Sequence, residues 1–168
     1  MIPVIAIVGQ SGSGKTTLIE KLLPEFKRRG YRVGTVKHHW HEFDIDKEGK
    51  DSWRHARAGA DMVVIASPQK LAMVKNMTAD MSLEDIRDTV FSDVDVVIAE
   101  GYKTSTQPRV EVFQAAVHEK PLFTKNKNLL ATVSDTHVNT GVPWFGLEEI
   151  VPLVDFLEKT VLGKHPNP

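Results

Sequence analysis

Residues Gly9-Gln10-Ser11-Gly12-Ser13-Gly14-Lys15-Thr16 spell out G-x-x-x-x-G-K-[ST]. They directly follow the apolar run Ile2–Val8 and directly precede a stretch with helical spacing. No other feature restricts the chain so much. A strand that is apolar on both faces belongs inside a parallel sheet. A glycine-rich loop after it can curl its backbone N–H groups around phosphate oxygens. The helix that begins there adds unpaired N–H groups and the positive end of its dipole. In such a loop Lys15 reaches the β- and γ-phosphates and the Thr16 hydroxyl ligates Mg²⁺.

The rest of the chain reads as strands alternating with helices, broken by one inserted hairpin. Thr16–Arg29 carries Leu18, Ile19, Leu22, Leu23 and Phe26 at helical spacing, with Pro24 expected to kink the helix or tighten its last turn and Gly30 to stop it. Tyr31–Lys37 reads as a second strand, and His38–Lys50 as a long polar loop. A short helix follows, capped by Asp51 or Ser52 and stopped by Gly59. Asp61–Ala66 and Leu71–Asn76, joined by Ser67-Pro68-Gln69-Lys70, suit a hairpin. Ser82 and Asp85 resemble a capping box ahead of the helical face Leu83, Ile86 and Val90. Further strands are expected at Val94–Ala99, at Arg109–Gln114 (Val110 and Val112 on one face, Glu111 on the other) and at Leu129–Ser134. A closing helix is expected over Leu147–Leu162 with Pro152 in its first turn, then a frayed tail at His165–Pro168. The expectation is a single α/β domain over residues 1–168. It has three layers, with a mainly parallel sheet, helices on both faces and some antiparallel strands.

Composition narrows the function. The chain has 168 residues, a formal net charge of −1 and no long basic block, which argues against nucleic acid as its main partner. It has no cysteine, so disulfides, iron–sulfur sites and thiol catalysis are excluded, and a cytoplasmic location is the simplest expectation. The N-terminal apolar run lacks a basic flank and ends in the phosphate loop, so it reads as a strand and not a signal peptide. No apolar stretch approaches the ~20 residues of a membrane helix.

Ligands of such sheets bind beyond the carboxyl ends of the strands. The phosphate loop, the His38 loop and Glu100 all fall at expected strand ends. Glu100 closes the apolar run Val94–Ala99. A carboxylate beside a bound polyphosphate is repelled unless a cation lies between them, so Glu100 is a candidate for Mg²⁺ or for the attacking water. Asp95 comes too early in the strand to reach. Gly101 would let backbone approach the phosphates closely. In the His38 loop, Asp44 and Asp46 are candidate metal or water ligands, and the Lys50-Asp51-Ser52 helix start can face an anion. His38, His39 and His41 have no assigned role; a transition-metal site there is a weaker alternative. Asp44-x-Asp46-x-Glu48-Gly49 opens like a calcium loop but has His55 where a bidentate Glu is needed. For base recognition, Asn126-Lys127-Asn128-Leu129 lacks the carboxylate that would pair with guanine. Asp135 could supply one from another position, or simply cap a turn.

The ordered set Gly9–Thr17, Val36-Lys37-His38-His39, Asp44-Ile45-Asp46-Lys47, Gly49-Lys50-Asp51-Ser52, Ala58-Gly59-Ala60 and Glu100-Gly101-Tyr102-Lys103 resembles the MobB family of molybdenum-cofactor guanine-dinucleotide biosynthesis adapters. The resemblance implies a P-loop NTPase-like protein that binds GTP and Mg²⁺ and hydrolyses GTP slowly. It implies partnership with the guanylyltransferase that joins GMP to molybdopterin, with molybdopterin itself as a further candidate ligand, and a homodimer. Carried over, Gly12, Ser13, Gly14, Lys15, Thr16 and Thr17 bind phosphates, and Thr16 and Glu100 serve Mg²⁺. Asp46 with Gly49–Ser52 forms a nucleotide-responsive loop. No water-orienting Gln or arginine finger is evident. The rivals are a small-molecule kinase, with Arg54 and Arg57 available to clamp an acceptor, and a GTPase metallochaperone using the histidines.

Overall fold

The structure is a computed structural model, and it describes residues 1–40, 43–124 and 126–163. His41 and the tail from residue 164 lie outside the described residues. In chain order the elements are β1 (Val4–Val8), α1 (Lys15–Arg28), β2 (Val33–Lys37), α2 (Asp51–Arg57), β3 (Met62–Ala66), β4 (Leu71–Lys75), α3 (Leu83–Val90), β5 (Val96–Glu100), β6 (Arg109–Phe113), β7 (Leu129–Ser134), β8 (Trp144–Gly146) and α4 (Ile150–Leu157). A π-helical turn, Glu158–Leu162, extends α4. Two compact units result. One comprises Met1–His38 with Ser82–Pro168, the other His39–Met81.

The first unit holds a six-stranded sheet in the order β2-β5-β1-β6-β7-β8. Every pairing in it is parallel. β1 lies between β5 and β6, and all five of its residues are buried. Its alternation divides the core in two. Ile5 and Ile7 join Val96 and Ile98 beneath Leu18, Leu22 and Phe26 of α1 and Leu153, Val154 and Leu157 of α4. Val4 joins Val97 and Ala99 against Leu83 of α3 on the opposite face. Helices therefore cover both faces, as parallel strands require. From β1 the chain runs outward to β2, and from β6 it runs the other way to β7. That reversal beside β1 is where open α/β sheets form their crevice.

Several elements differ from the sequence expectation in ways with clear causes. The antiparallel strands do not join the main sheet; β3 and β4 form a separate two-stranded sheet in the second unit. β8 was not anticipated, because three residues after Pro143 carry too short a pattern to read. The Glu111 face of β6 is as buried as the Val110 face. α1 is not among these differences: it runs from Lys15 to Arg28 with Pro24 inside, close to the expected span, and Pro24 sits on the exposed side, where water can serve the Glu20 carbonyl that Pro24 leaves without a donor.

The end of α1 is tied to α4 by charge. Arg29 reaches Glu25 on its own helix at 2.7 Å, and Asp155 and Glu158 at 2.6 Å each. Hydrogen bonds from Arg28 and then Arg29 hold the Glu25 carboxyl at about 2, below its ordinary 4.5. A depressed carboxylate contributes stability that is present above its unfolded pKa and is lost as pH falls through the folded one. Glu25→Gln is thus expected to be less stable than the parent near neutrality. The difference should shrink between about pH 4.5 and about pH 2, as read from urea midpoints across that range.

Candidate phosphate-binding site

Gly9 follows β1, and the chain then turns through Gly12 at φ +74° and Gly14 at φ +91° before α1 begins. Both angles lie in the left-handed region that glycine adopts without steric cost. Gly9 meets a second constraint. A Cβ there would lie 2.4 Å from the Val112 carbonyl oxygen and 2.5 Å from Ser13 Oγ. The loop therefore packs directly on the β6 backbone. Ser13 is fully buried, and its hydroxyl has no partner among the described residues.

At the mouth of the loop the anticipated residues meet. Thr16 Oγ donates to Glu100 with 3.1 Å to either carboxylate oxygen. Lys15 Nζ donates to the Gln10 carbonyl at 2.7 Å and the Gly9 carbonyl at 3.3 Å. Burial lowers the Lys15 pKa from its ordinary value; Glu100 opposes this, and the positive fields of Lys103 and Lys37 add to it. Ser11, Gly12, Gly14, Lys15, Thr16, Thr17, Lys37 and Glu100 line a cavity of about 420 Å³. This donor set suits Mg²⁺. One hydroxyl and one carboxylate lie within reach of each other, and Mg²⁺ is commonly held by one or two protein oxygens plus water and phosphate. Among the described residues no cluster of three or more His, Asp or Glu could hold a metal on its own.

Other residues at the site have no role assigned by the sequence. Lys37 ends β2 opposite Glu100 in register, with Nζ 3.5 Å from Glu100 Oε1. Behind the loop, Gln114 donates to the Ser13 carbonyl at 3.1 Å, His118 Nε2 meets the Ser11 carbonyl at 2.9 Å, and Gln10 donates to the Lys120 carbonyl at 3.0 Å. This bracing segment is itself anchored. The buried Glu111 carboxylate accepts the Leu122 and Phe123 N–H groups, although burial raises its pKa. The signals were present but unspecific: a cation at a strand end, and a Gln just past another.

Gly101 takes the left-handed φ of +103°, and a Cβ there would make only ordinary contact with His38, 3.4 Å from its Cβ. Asp135 accepts N–H groups from Ala115 and Ala116, which lowers its pKa; it is the cap of that turn. Asp44, Asp46, Gly49, Lys50, Asp51 and Ser52 belong to the second unit. There Asp46 accepts the Lys47 N–H, Gly49 turns at φ +83°, and Lys50 precedes α2, which Asp51 and Ser52 begin.

The family profile described as MobB, molybdopterin guanine dinucleotide synthesis protein B, matches residues 4–135. The chain belongs to this family. It is 34% identical over 158 residues to the molybdopterin-guanine dinucleotide biosynthesis adapter protein of Haemophilus influenzae, covering 94% of this chain and 88% of that one. Against the adapter protein of that name in Escherichia coli it is 34% identical over 164 residues, covering 94% and 92%. The crystal structure of Bacillus subtilis MobB superposes with a TM-score of 0.77 at 28% identity, over 97% of this chain and all of that one. The P-loop NTPase-like architecture is thus that of the family's solved structures.

The glycines of the loop differ in what a side chain would meet. Gly9→Ala drives a methyl group into the β6 backbone and is expected to cost about 1–3 kcal/mol of overpacking. Gly12→Ala meets open space and carries only the backbone strain, about 1–2 kcal/mol. Urea unfolding of both variants checks the order. A Gly12→Ala variant less stable than Gly9→Ala would refute the close-packing account.

Proposed function

We propose that this chain is a GTP-binding adapter in molybdopterin guanine dinucleotide biosynthesis. It hydrolyses GTP slowly with Mg²⁺ and assists the guanylyltransferase that joins GMP to molybdopterin. The observation that carries this reading is the meeting of Lys15, Thr16 and Glu100 at the mouth of a glycine loop, in a chain of this family. The loop amides and the α1 N-terminus take the phosphates, and Lys15 leaves the Gly9 and Gln10 carbonyls to contact them. Thr16 and Glu100 would hold Mg²⁺, which neutralises phosphate charge when bound. Phosphoryl transfer is accelerated mostly by positioning and charge. Among the described residues lining the cavity there is neither an Arg nor a Gln, so hydrolysis should be slow until a partner completes the site. Asp46 and Gly49–Ser52 are read as the nucleotide-responsive segment, and molybdopterin as a ligand of the assembled complex. Among the described residues no helix is long and apolar enough to cross a membrane; we place the protein in the cytoplasm.

Lys15→Ala is expected to weaken GTP binding by about tenfold or more, the worth of a charge-assisted hydrogen bond, with little loss of fold. Glu100→Gln should weaken binding more with Mg²⁺ than in EDTA. Calorimetry on both variants, with ATP as competitor, checks the loop and the base preference together. An unchanged GTP affinity in Lys15→Ala would remove the assigned role.

A homodimer fits the second unit. Antiparallel register puts Met62, Val64, Leu71 and Met73 on one face of the β3–β4 sheet, and each is about half-exposed or more. A lone two-stranded sheet is marginal in water, and a second copy of the same face would cover it. Replacing the cross-strand pair Val64 and Met73 with Lys is expected to yield monomer in analytical ultracentrifugation. A dimer that survives this change uses another surface.

A further inference from the structure

Lys37 is a cavity-lining cation with no assigned task. Main-chain pairing dictates its position. β2 and β5 run parallel with Lys37 directly opposite Glu100, so both side chains leave the same face of the sheet. Its ammonium is 3.5 Å from the Glu100 Oε1 that also accepts the Thr16 hydroxyl at 3.1 Å. Lys37 thus stands at the oxygen pair that suits Mg²⁺. The two partners differ in freedom. The Glu100 side chain is only 13% exposed, whereas that of Lys37 is 60% exposed. The carboxylate is held in place while the ammonium, on its four-carbon stem, can swing across the rim. Lys15 is engaged by the loop carbonyls deeper in the site, and the fields of Lys37 and Lys103 both reach it.

We propose that Lys37 distinguishes nucleoside triphosphate from diphosphate. It balances Glu100 before the divalent cation binds, and turns to the terminal phosphate once that carboxylate is engaged. The reasoning is electrostatic. An ammonium beside a carboxylate is favourable until a doubly charged cation joins the same oxygens, after which it is repelled. The acceptors then within reach of a side chain rooted at the cavity rim are the outermost phosphate oxygens. A diphosphate offers none there, so only a triphosphate recovers the contact that Lys37 loses. Lys37 and Lys15 then contribute separate charges, one at the rim and one in the loop. This inference rests on the nucleotide-binding reading above and adds to it the discrimination between triphosphate and diphosphate.

The test measures affinities of the full-length chain for GTP and GDP by calorimetry, with Mg²⁺ and again in EDTA. The variants are Lys37→Gln and Lys37→Arg. With Mg²⁺, Lys37→Gln is expected to reduce the ratio of GTP to GDP affinity by about tenfold or more, the effect of one charge-assisted hydrogen bond. Lys37→Arg, which keeps the charge, should restore most of that ratio. In EDTA, where Glu100 retains the side chain, the parent and Lys37→Gln should have nearly the same ratio. A parent that binds GTP while Lys37→Gln shows an unchanged ratio in Mg²⁺ overturns the role of Lys37 and leaves the nucleotide reading standing. An equal fall for GTP and GDP also overturns it, because that is a general field effect. A parent that binds neither nucleotide overturns both readings.

Discussion

Parallel pairing of β1 with β5 on one side and β6 on the other positions everything the site uses. The register sets Ile7 against Glu100 and Val8 against Glu111, so β1 delivers its glycine loop where β5 delivers its carboxylate. β2 pairs with the far side of β5 and adds Lys37 at the same level. Parallel strands end together, and their carboxyl ends form one edge. Charges from residues far apart in sequence are thereby held within a few ångströms. Fully buried side chains on both faces, from Ile5 and Ile98 on one to Val97 and Ala99 on the other, keep the strands from sliding. A one-residue slip would turn those side chains to the wrong layer.

That edge carries more positive than negative charge. Lys15 and Lys37 line the cavity with one carboxylate, the field of Lys103 also reaches Lys15, and burial lowers the Lys15 pKa without removing its carbonyl partners. Such a surplus of positive charge is costly until a polyanion neutralises it. Beneath it, β6 carries buried polar groups of its own. Arg109 donates to the Lys103 and Ser105 carbonyls and stacks on Phe123, and Glu111 accepts the Leu122 and Phe123 N–H groups. These two residues shape the loops on either side of the strand. One of those loops carries Lys103, and the other braces the glycine loop through Gln114 and His118. The Glu111 carboxylate, with both oxygens taken by main-chain N–H groups, fixes the adjoining loop more sharply than apolar contacts would.

Much of this was legible in order along the chain. Continuous apolar runs marked β1 and β5, helical spacing marked α1, and Ser82 accepts the Asp85 N–H as its capping pattern foretold. The Thr16–Glu100 contact was anticipated because a strand-end carboxylate near a phosphate loop has few other uses. Less was legible where an element is short or its meaning depends on neighbours. β8 has three residues and no period to read. Lys37, Gln114 and His118 look like ordinary surface residues until strand order places them. Asp135 is open to two readings in the sequence, and strand order supplies the Ala115 and Ala116 N–H groups that its carboxylate accepts as a turn cap.

By itself the sequence determined the local elements and the chemistry of the glycine loop, because periodicity, glycine spacing and the G-K-T ending are properties of neighbouring residues. Only the tertiary structure decided which residues, distant in sequence, share the site. Strand order and register arise from competition among long-range pairings, and no local pattern records which strand won the place beside β1.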